Sequence, residues 1–127
     1  MALGAEYERL ETLVAAALRA EDPAAAFALA SHDAKLTDEL RDALCFARPA
    51  GIRIAAVLIA RLRFERLIQG SREAGSWFDR DPRAFTSAFR RYHQEIAPRG
   101  IQPRDEGEAF FRWASGQGLG DALAPGA

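Results

Sequence analysis

Histidine and arginine side chains are the most chemically versatile groups in this sequence. His93 follows Arg90 and Arg91 in the stretch DRDPRAFTSAFRRYHQEIAP. A histidine acts as a general acid or base when a nucleophile or a second titratable group lies within hydrogen-bond reach. No catalytic motif pairs a nucleophile with His93 in the sequence. A small enzyme built on His93 is therefore the weakest of three interpretations, and we predict that the protein is not an enzyme.

Complete motifs for metal binding or nucleophilic catalysis are missing from the sequence. His32 and His93 lie far apart, neither belongs to an HExxH pattern, and Cys45 is the only cysteine. No GxSxG turn occurs, and no predicted strand precedes the glycines of GQGLG. We therefore predict no catalytic residue, no metal and no cofactor. Cys45 lies in the apolar run LCFA, which favours a buried, unreactive side chain.

The composition argues against nucleic-acid and membrane partners. The 17 basic residues nearly balance the 18 acidic ones, so the chain has no strong field to attract a polyanion. The most apolar run, IRIAAVLIARLRF, contains three arginines and is shorter than a membrane span of about 20 residues. The N-terminal segment MALGAEYERLE is charged and does not resemble a secretory signal. These features predict a cytoplasmic protein.

Arginine remains as the residue type that could recognise another molecule. Its guanidinium group forms bidentate contacts with carboxylates and stacks on aromatic rings, which suits a docking surface. Intramolecular pairing is the alternative, and Arg61 with Glu65 has the i, i+4 spacing for it. The residues that we predict to bind a partner are Arg61, Arg63, Arg66, Trp77, Arg90, Arg91 and His93.

Helical periodicity and capping residues set out the elements that would position these side chains. Asp22 with Pro23, Thr37, and Asp81 with Pro82 have the form of helix starts. The predicted helices cover residues 5–20, a short segment after Pro23, a segment from Thr37 to Pro49, residues 51–69, a segment from Pro82 to Pro98, and a last helix from Pro103. Ser71 is expected to cap only a short turn, and Glu106 and Glu108 are interpreted as acids that suit a helix start.

The predicted fold class is all-α. Residues 51–69 are apolar on nearly every side, which is typical of a helix at the centre of a bundle. We therefore expect a compact bundle of about five to six helices around this central apolar helix. The length suits a single helical domain over residues 1–115, and the glycine-rich residues 116–127 are expected to be a flexible tail.

One segment of the sequence resembles a known family. The run ARLRFERLIQGSREAGSWF, then DPRAFTSAFRRYHQEIAP, and then EGEAFFRWAS follow one another between about residues 50 and 115. This arrangement resembles the small helical domain of partner proteins of multinuclear non-heme iron-dependent oxidative enzymes, which modify ribosomally synthesised peptides. The matching positions are Arg61, Arg63, Arg66, Trp77, Phe78, Phe85, Phe89, Tyr92, Pro98, Phe110, Phe111 and Trp113.

The resemblance implies a non-catalytic accessory subunit that holds no metal itself. Its expected partner is the iron-dependent oxidative enzyme, and the precursor peptide is a second expected ligand. The alternative is a freestanding helical interaction or regulatory domain with an unrelated protein partner. An iron-oxidase gene and a short cysteine-bearing peptide gene beside the coding sequence would favour the first interpretation.

Overall fold

Helices joined by short turns make up the described chain. The computed structural model describes residues 2–98 and 102–124, and within these ranges eight helices and no strand are present. The helices are α1 (Ala2–Arg19), α2 (Pro23–Ala30), α3 (Asp38–Cys45), α4 (Pro49–Gly70), α5 (Arg72–Arg80), α6 (Pro82–Glu95), α7 (Pro103–Gly116) and α8 (Gly120–Leu123). The prediction of an all-α protein is confirmed. The helices outnumber those expected because α5 is a full helix and α8 forms in the presumed tail.

Side-chain caps explain where four of these helices begin. The oxygens of Asp22, Thr37, Ser71 and Asp81 each accept a hydrogen bond from the backbone amide three residues ahead. Such a bond satisfies an amide that has no partner inside the helix. Pro23 and Pro82 then occupy the first helical position, where a missing N–H has no consequence. These local signals account for the good agreement of the predicted helix starts.

Packing divides the chain into two compact units, Met1–Ile59 and Ala60–Ala127. The sequence favoured one domain because its length suits one core, but each unit has a separate cluster of buried apolar side chains. The division falls within α4. Ile52 contributes to the core of the first unit, and Leu67 contributes to that of the second.

The first unit is built from α1, α2, α3 and the beginning of α4. Its buried core is aliphatic except for one phenylalanine, and it consists of Ala17, Phe27, Ala30, Leu36, Leu44 and Ile52. Cys45 follows the buried Leu44 but is itself exposed, so the prediction of a buried cysteine is wrong. Neighbouring positions of a helix point about 100° apart, so an apolar run does not place every member inside.

A charged cluster closes the turn between α2 and α3. Nη2 of Arg9 lies 2.6 Å from Oδ2 of Asp33, and the backbone amide of Lys35 donates to Oδ1 of Asp33 at 2.9 Å. The hydrogen bond from Arg9 is the main reason that the pKa of Asp33 is lowered from its ordinary value of 3.8, and the Lys35 amide lowers it further. Arg41 also donates to the backbone carbonyl of Asp33.

The Asp33 cluster predicts a contribution to acid stability. A carboxyl group whose pKa is lowered by folding stabilises the protein above its ordinary pKa, and this contribution disappears as pH falls through the folded-state value. We expect Asp33→Asn to lower the thermal midpoint at pH 7 and to flatten its decline below about pH 4. Far-UV circular dichroism melts between pH 2 and pH 7 measure both effects. Asp42→Asn, which changes an exposed carboxylate on α3, is the control, and equal curves for the two variants would contradict the prediction.

Aromatic side chains form the core of the second unit. Phe85, Tyr92 and Phe110 are almost completely buried. Phe85 meets Trp77 with ring centroids 5.4 Å apart and an interplanar angle of 82°, while Tyr92 meets Phe110 at 5.1 Å and 88°. Edge-to-face contacts of this kind add to the stabilisation that burial provides.

The end of the chain also belongs to this core. Leu123 on α8 is only 2% exposed, and Nη2 of Arg80 donates to the backbone carbonyl of Ala122 at 2.6 Å. The prediction of a flexible tail over residues 116–127 is therefore wrong for residues 119–124, and residues 125–127 lie outside the described ranges. The glycine-rich composition indicated flexibility, but the buried side chain of Leu123 holds this segment against the core.

No single helix in residues 2–98 and 102–124 is both long and apolar enough to cross a membrane. Only α3 and α4 taken together meet the criterion of length and composition, and they are bent by 87° at the break between them.

Candidate partner-binding site

The outer side of α4 carries large apolar side chains. Ile54, Val57 and Leu58 are 62%, 66% and 54% exposed, and we call these three residues the outer patch. They have the i, i+3, i+4 spacing that places side chains on one face of a helix. Leu62, one turn beyond Leu58, is 61% exposed. The expectation that an apolar helix is buried on every side does not hold for this face.

A groove lies in the second unit, between α4 and α6. It has a volume of about 250 Å³, and its lining consists of Ala60, Arg61, Phe64, Thr86, Phe89, Arg90 and His93. Phe89 and His93, one turn apart on α6, stack with ring centroids 5.7 Å apart and an interplanar angle of 10°. The ring of Phe64 meets that of Phe89 at 5.2 Å and 85°. The groove therefore has aromatic walls.

Two arginines give the rim of the groove its charge. Arg61 has a 75% exposed side chain, and its Nε lies 3.3 Å from Oε1 of Glu65, as the i, i+4 spacing predicts. Arg90 is exposed and has no ion-pair or hydrogen-bond partner among the described residues. Of the seven lining residues, two are cationic and none is acidic. The groove is consequently apolar inside and positive at its edge.

A buried ion pair lies beside this groove in the second unit. Arg63 is 3% exposed and Glu106 is 5% exposed. Nε and Nη2 of Arg63 donate to Oε1 and Oε2 of Glu106 at 2.8 Å and 3.1 Å. This two-point geometry matches the planar fork of a guanidinium group to a carboxylate. The pair joins α4 to α7.

Further hydrogen bonds complete the buried network. Nη1 of Arg63 donates to the backbone carbonyl of Ile96 at 2.5 Å, just after the end of α6. The hydroxyl of Tyr92 donates to Oε2 of Glu106, and Cζ of Arg63 lies 4.4 Å from the centre of the Tyr92 ring. Burial, followed by the hydrogen bond to Glu106, raises the pKa of Tyr92 well above its ordinary value of 10. Tyr92 therefore stays protonated, and the network joins α4, α6 and α7.

The position of Arg63 also determines which nitrogen of His93 carries hydrogen. Nη1 of Arg63 lies 3.3 Å from Nδ1 of His93. A guanidinium group only donates hydrogen bonds, so Nδ1 must accept and the ring hydrogen resides on Nε2. A catalytic His93 would need a group that exchanges protons with it. The residue at Nδ1 is instead an arginine, which does not release its proton in proteins.

The structure separates the seven residues that we predicted to bind a partner. Arg61, Arg90 and His93 come together at the groove. Arg66, which is partly exposed on α4, is not among the residues that line it. For the other three residues the structure provides internal contacts.

Arg63 and Trp77 are core residues, so their predicted role in partner contact is corrected. Arg63 is held in the buried ion pair, and Trp77 is 5% exposed among aromatic side chains. Arg91 is exposed but is occupied within the unit: its Nη2 donates to Oε1 of Gln117 at 2.8 Å, and its Cζ lies 5.5 Å from the Trp113 ring. Although they are adjacent in sequence, Arg91 contacts Gln117 and Trp113, whereas Arg90 lines the groove.

Sequence reasoning missed Glu106, which it interpreted as a carboxylate at a helix start. A usable signal was present, because Glu106 has the i, i+4 and i, i+7 spacing with Phe110 and Trp113. Those positions lie on the inner face of α7, and a carboxylate there needs a buried partner. Its partner, Arg63, lies 43 positions earlier, so no local pattern connects the two.

Neither a metal site nor a similar protein of known function identifies the role of the groove. Across the described ranges, no three side chains of histidine, cysteine, aspartate or glutamate lie together in an arrangement that could hold a metal ion. No protein-family model matches the chain, and neither the curated proteins nor the solved structures include a significant match.

Proposed function

We propose that this chain is a non-catalytic accessory subunit that binds another protein through α4. The observation that carries the proposal is the outer patch, Ile54, Val57 and Leu58, in which each aliphatic side chain is more than half exposed. Isolated apolar residues on a surface are ordinary, but a contiguous group on one helical face is typical of a protein interface. Full burial of a side chain of this size contributes at most about 1.5 to 3 kcal/mol, and these residues are already partly covered, so each contributes a fraction of that to a complex.

The groove between α4 and α6 supports the same proposal. It presents the uncompensated charge of Arg90 beside aromatic walls, and arginine and aromatic residues are enriched at interfaces. At about 250 Å³, it is smaller than the roughly 300 to 1,000 Å³ of sites for drug-sized molecules. A protein side chain is a more suitable occupant than a cofactor.

The proposed partner is the multinuclear non-heme iron-dependent oxidative enzyme that the sequence resemblance implies. In this role, the subunit holds no metal and helps to present the precursor peptide to the enzyme. The support for this identity is the pattern of arginine and aromatic positions between about residues 50 and 115. The alternative partner is an unrelated protein that binds the same face.

Replacement of Leu58 by glutamate tests the role of the outer patch. We expect Leu58→Glu to weaken the complex with the iron-dependent enzyme by about tenfold or more, because 1.4 kcal/mol of lost apolar burial corresponds to a tenfold change in the dissociation constant. The measurement is size-exclusion chromatography with light scattering on the mixed, purified proteins at micromolar concentration. Leu29→Glu is the matched control, since Leu29 is an exposed leucine on α2, and this variant should bind like the wild type.

Separate elution of the wild-type chain and the enzyme would overturn the iron-dependent enzyme as the partner. Co-elution that Leu58→Glu and Leu29→Glu leave equally intact would overturn the outer patch as the contact. Circular dichroism of both variants distinguishes a lost contact from a lost fold. Because both leucines are exposed, we expect native spectra for both.

A further inference from the structure

The groove between α4 and α6 has the features of a receptor for one side chain. Its volume of about 250 Å³ accommodates a single large side chain, and Phe64, Phe89 and His93 provide its aromatic walls. The stacked rings of Phe89 and His93 offer a flat surface, while the Phe64 ring stands nearly perpendicular to Phe89 at 85°. An aromatic ring that entered the groove would find both a face and an edge to contact.

The charge at the rim indicates which chemical group should neighbour the aromatic ring in the bound segment. Arg90 is exposed and has no partner among the described residues, and Arg61 shares only an exposed pair with Glu65 at 3.3 Å. An exposed arginine without a carboxylate partner can form a charge-assisted hydrogen bond at little desolvation cost. None of the seven lining residues is acidic, and the carboxylate of Glu65 is already paired with Arg61, so Arg90 is the rim cation left for an incoming carboxylate.

We propose that this groove binds an acidic segment of the partner protein, in which an aromatic side chain enters between α4 and α6 and a neighbouring carboxylate pairs with Arg90. The proposal rests on the function proposed above and adds to it the chemistry that the partner must present. Thr86, at the same rim, offers a hydroxyl group to the backbone of the bound segment. Cation–π contact between the rim arginines and the bound ring would favour an aromatic side chain over an aliphatic one.

Three short peptides test this specificity on the intact chain. They are acetyl-Glu-Phe-Glu-amide, its neutral match acetyl-Gln-Phe-Gln-amide, and acetyl-Glu-Ala-Glu-amide, which lacks the ring. Proton–nitrogen correlation spectra of the labelled protein should show shifts at Thr86 and Arg90 when the first peptide is added. We expect a dissociation constant on the order of 1 mM for so small a ligand. The other two peptides should bind several-fold more weakly.

Two variants, Arg90→Gln and Arg72→Gln, test whether Arg90 is the cation that pairs with the peptide carboxylate. We expect Arg90→Gln to weaken the acidic aromatic peptide about fivefold, to the level of the neutral peptide, because the pair is exposed. Arg72→Gln removes an exposed arginine that does not line the groove and should leave binding unchanged. Arg90 has no partner among the described residues, so its replacement should leave the fold intact.

Equal binding of the three peptides, or absence of shifts at Thr86 and Arg90, would overturn this proposal. Equal weakening by the two arginine variants would overturn it as well, since it would indicate a general charge effect. These outcomes leave the proposed accessory role standing, because that role is decided separately by the Leu58→Glu and Leu29→Glu experiment on the whole complex.

Discussion

Replacing Arg63 by methionine is expected to lower the free energy of unfolding of the second unit by about 3 to 5 kcal/mol. The change removes the only cation that pairs with Glu106 in the described network and leaves that carboxylate buried at 5% exposure. It also removes the donor to the Ile96 carbonyl. An uncompensated buried charge is costly because the interior cannot solvate it as water does.

Urea unfolding followed by tryptophan fluorescence measures this effect in the right part of the chain. The protein has two tryptophans, Trp77 and Trp113, and both lie in the core of the second unit. Arg61→Met is the matched control, because Arg61 lies on the same helix and forms an exposed pair with Glu65. It should change stability by less than about 1 kcal/mol. Equal losses in the two variants would show that burial gives the Arg63 pair no special importance.

A second variant separates the contribution of the pair from the penalty of leaving one charge alone. In Arg63→Met combined with Glu106→Gln, neither buried charge remains, so we expect part of the stability to return relative to Arg63→Met. The same urea measurement provides the comparison. Glu106→Gln alone completes the cycle, and if the losses of the two single variants simply add up in the double variant, Arg63 and Glu106 act independently.

Replacing Gly70 by alanine is expected to destabilise the second unit by about 3 kcal/mol, the upper part of the range for overpacking. A Cβ atom at Gly70 would lie 1.8 Å from the backbone oxygen of Pro103 and 2.9 Å from the amide nitrogen of Arg104. A Cβ atom at Gly107 would in turn lie 2.6 Å from the Gly70 carbonyl oxygen. Because these neighbours are backbone atoms, the end of α4 and the start of α7 must move apart to admit a methyl group.

Gly75→Ala provides the control for this prediction. Gly75 lies in α5 of the same unit, and a Cβ atom there would meet only Cγ2 of Ile68, at an ordinary contact distance of 3.8 Å. Alanine favours the helix over glycine by about 0.5 to 1 kcal/mol, so this variant should be as stable as the wild type or more stable. If Gly70→Ala were equally well tolerated, the close approach of α4 and α7 would be contradicted. The tryptophan-monitored urea curve is again the measurement.

Gly70 illustrates how a correct boundary can have a different cause from the one that the sequence suggests. Glycine at the end of a helix is ordinarily explained by its freedom to adopt a positive φ. The helix does end there, but none of the described residues except Gly118 has a positive φ. What requires glycine at position 70 is the backbone of a segment more than 30 positions away. Rules that use neighbouring residues predict the end of the helix but not its contact with a distant segment.

The sequence predicted only part of the candidate site, again because contacts between distant segments cannot be inferred from local residue patterns. Arg61, Arg90 and His93 were named from residue type and do line one groove, whereas Arg63 and Trp77 were named by the same argument and are buried. Residue type indicates what a side chain is able to bind. Only burial and the distance to other elements decide whether it is free to do so, and these follow from contacts between distant positions.

The sequence by itself determined six of the eight described helices, since capping residues and proline act within a few positions of themselves. Asp22, Thr37, Ser71 and Asp81 cap as their residue types require. Tertiary structure alone decided that the chain packs around two cores, that Arg63 pairs with Glu106 across 43 positions, and that one apolar face of α4 remains exposed. The sequence of a helix that is apolar on all sides does not indicate which side other elements will cover. That choice depends on the shape and charge of the elements that pack against it.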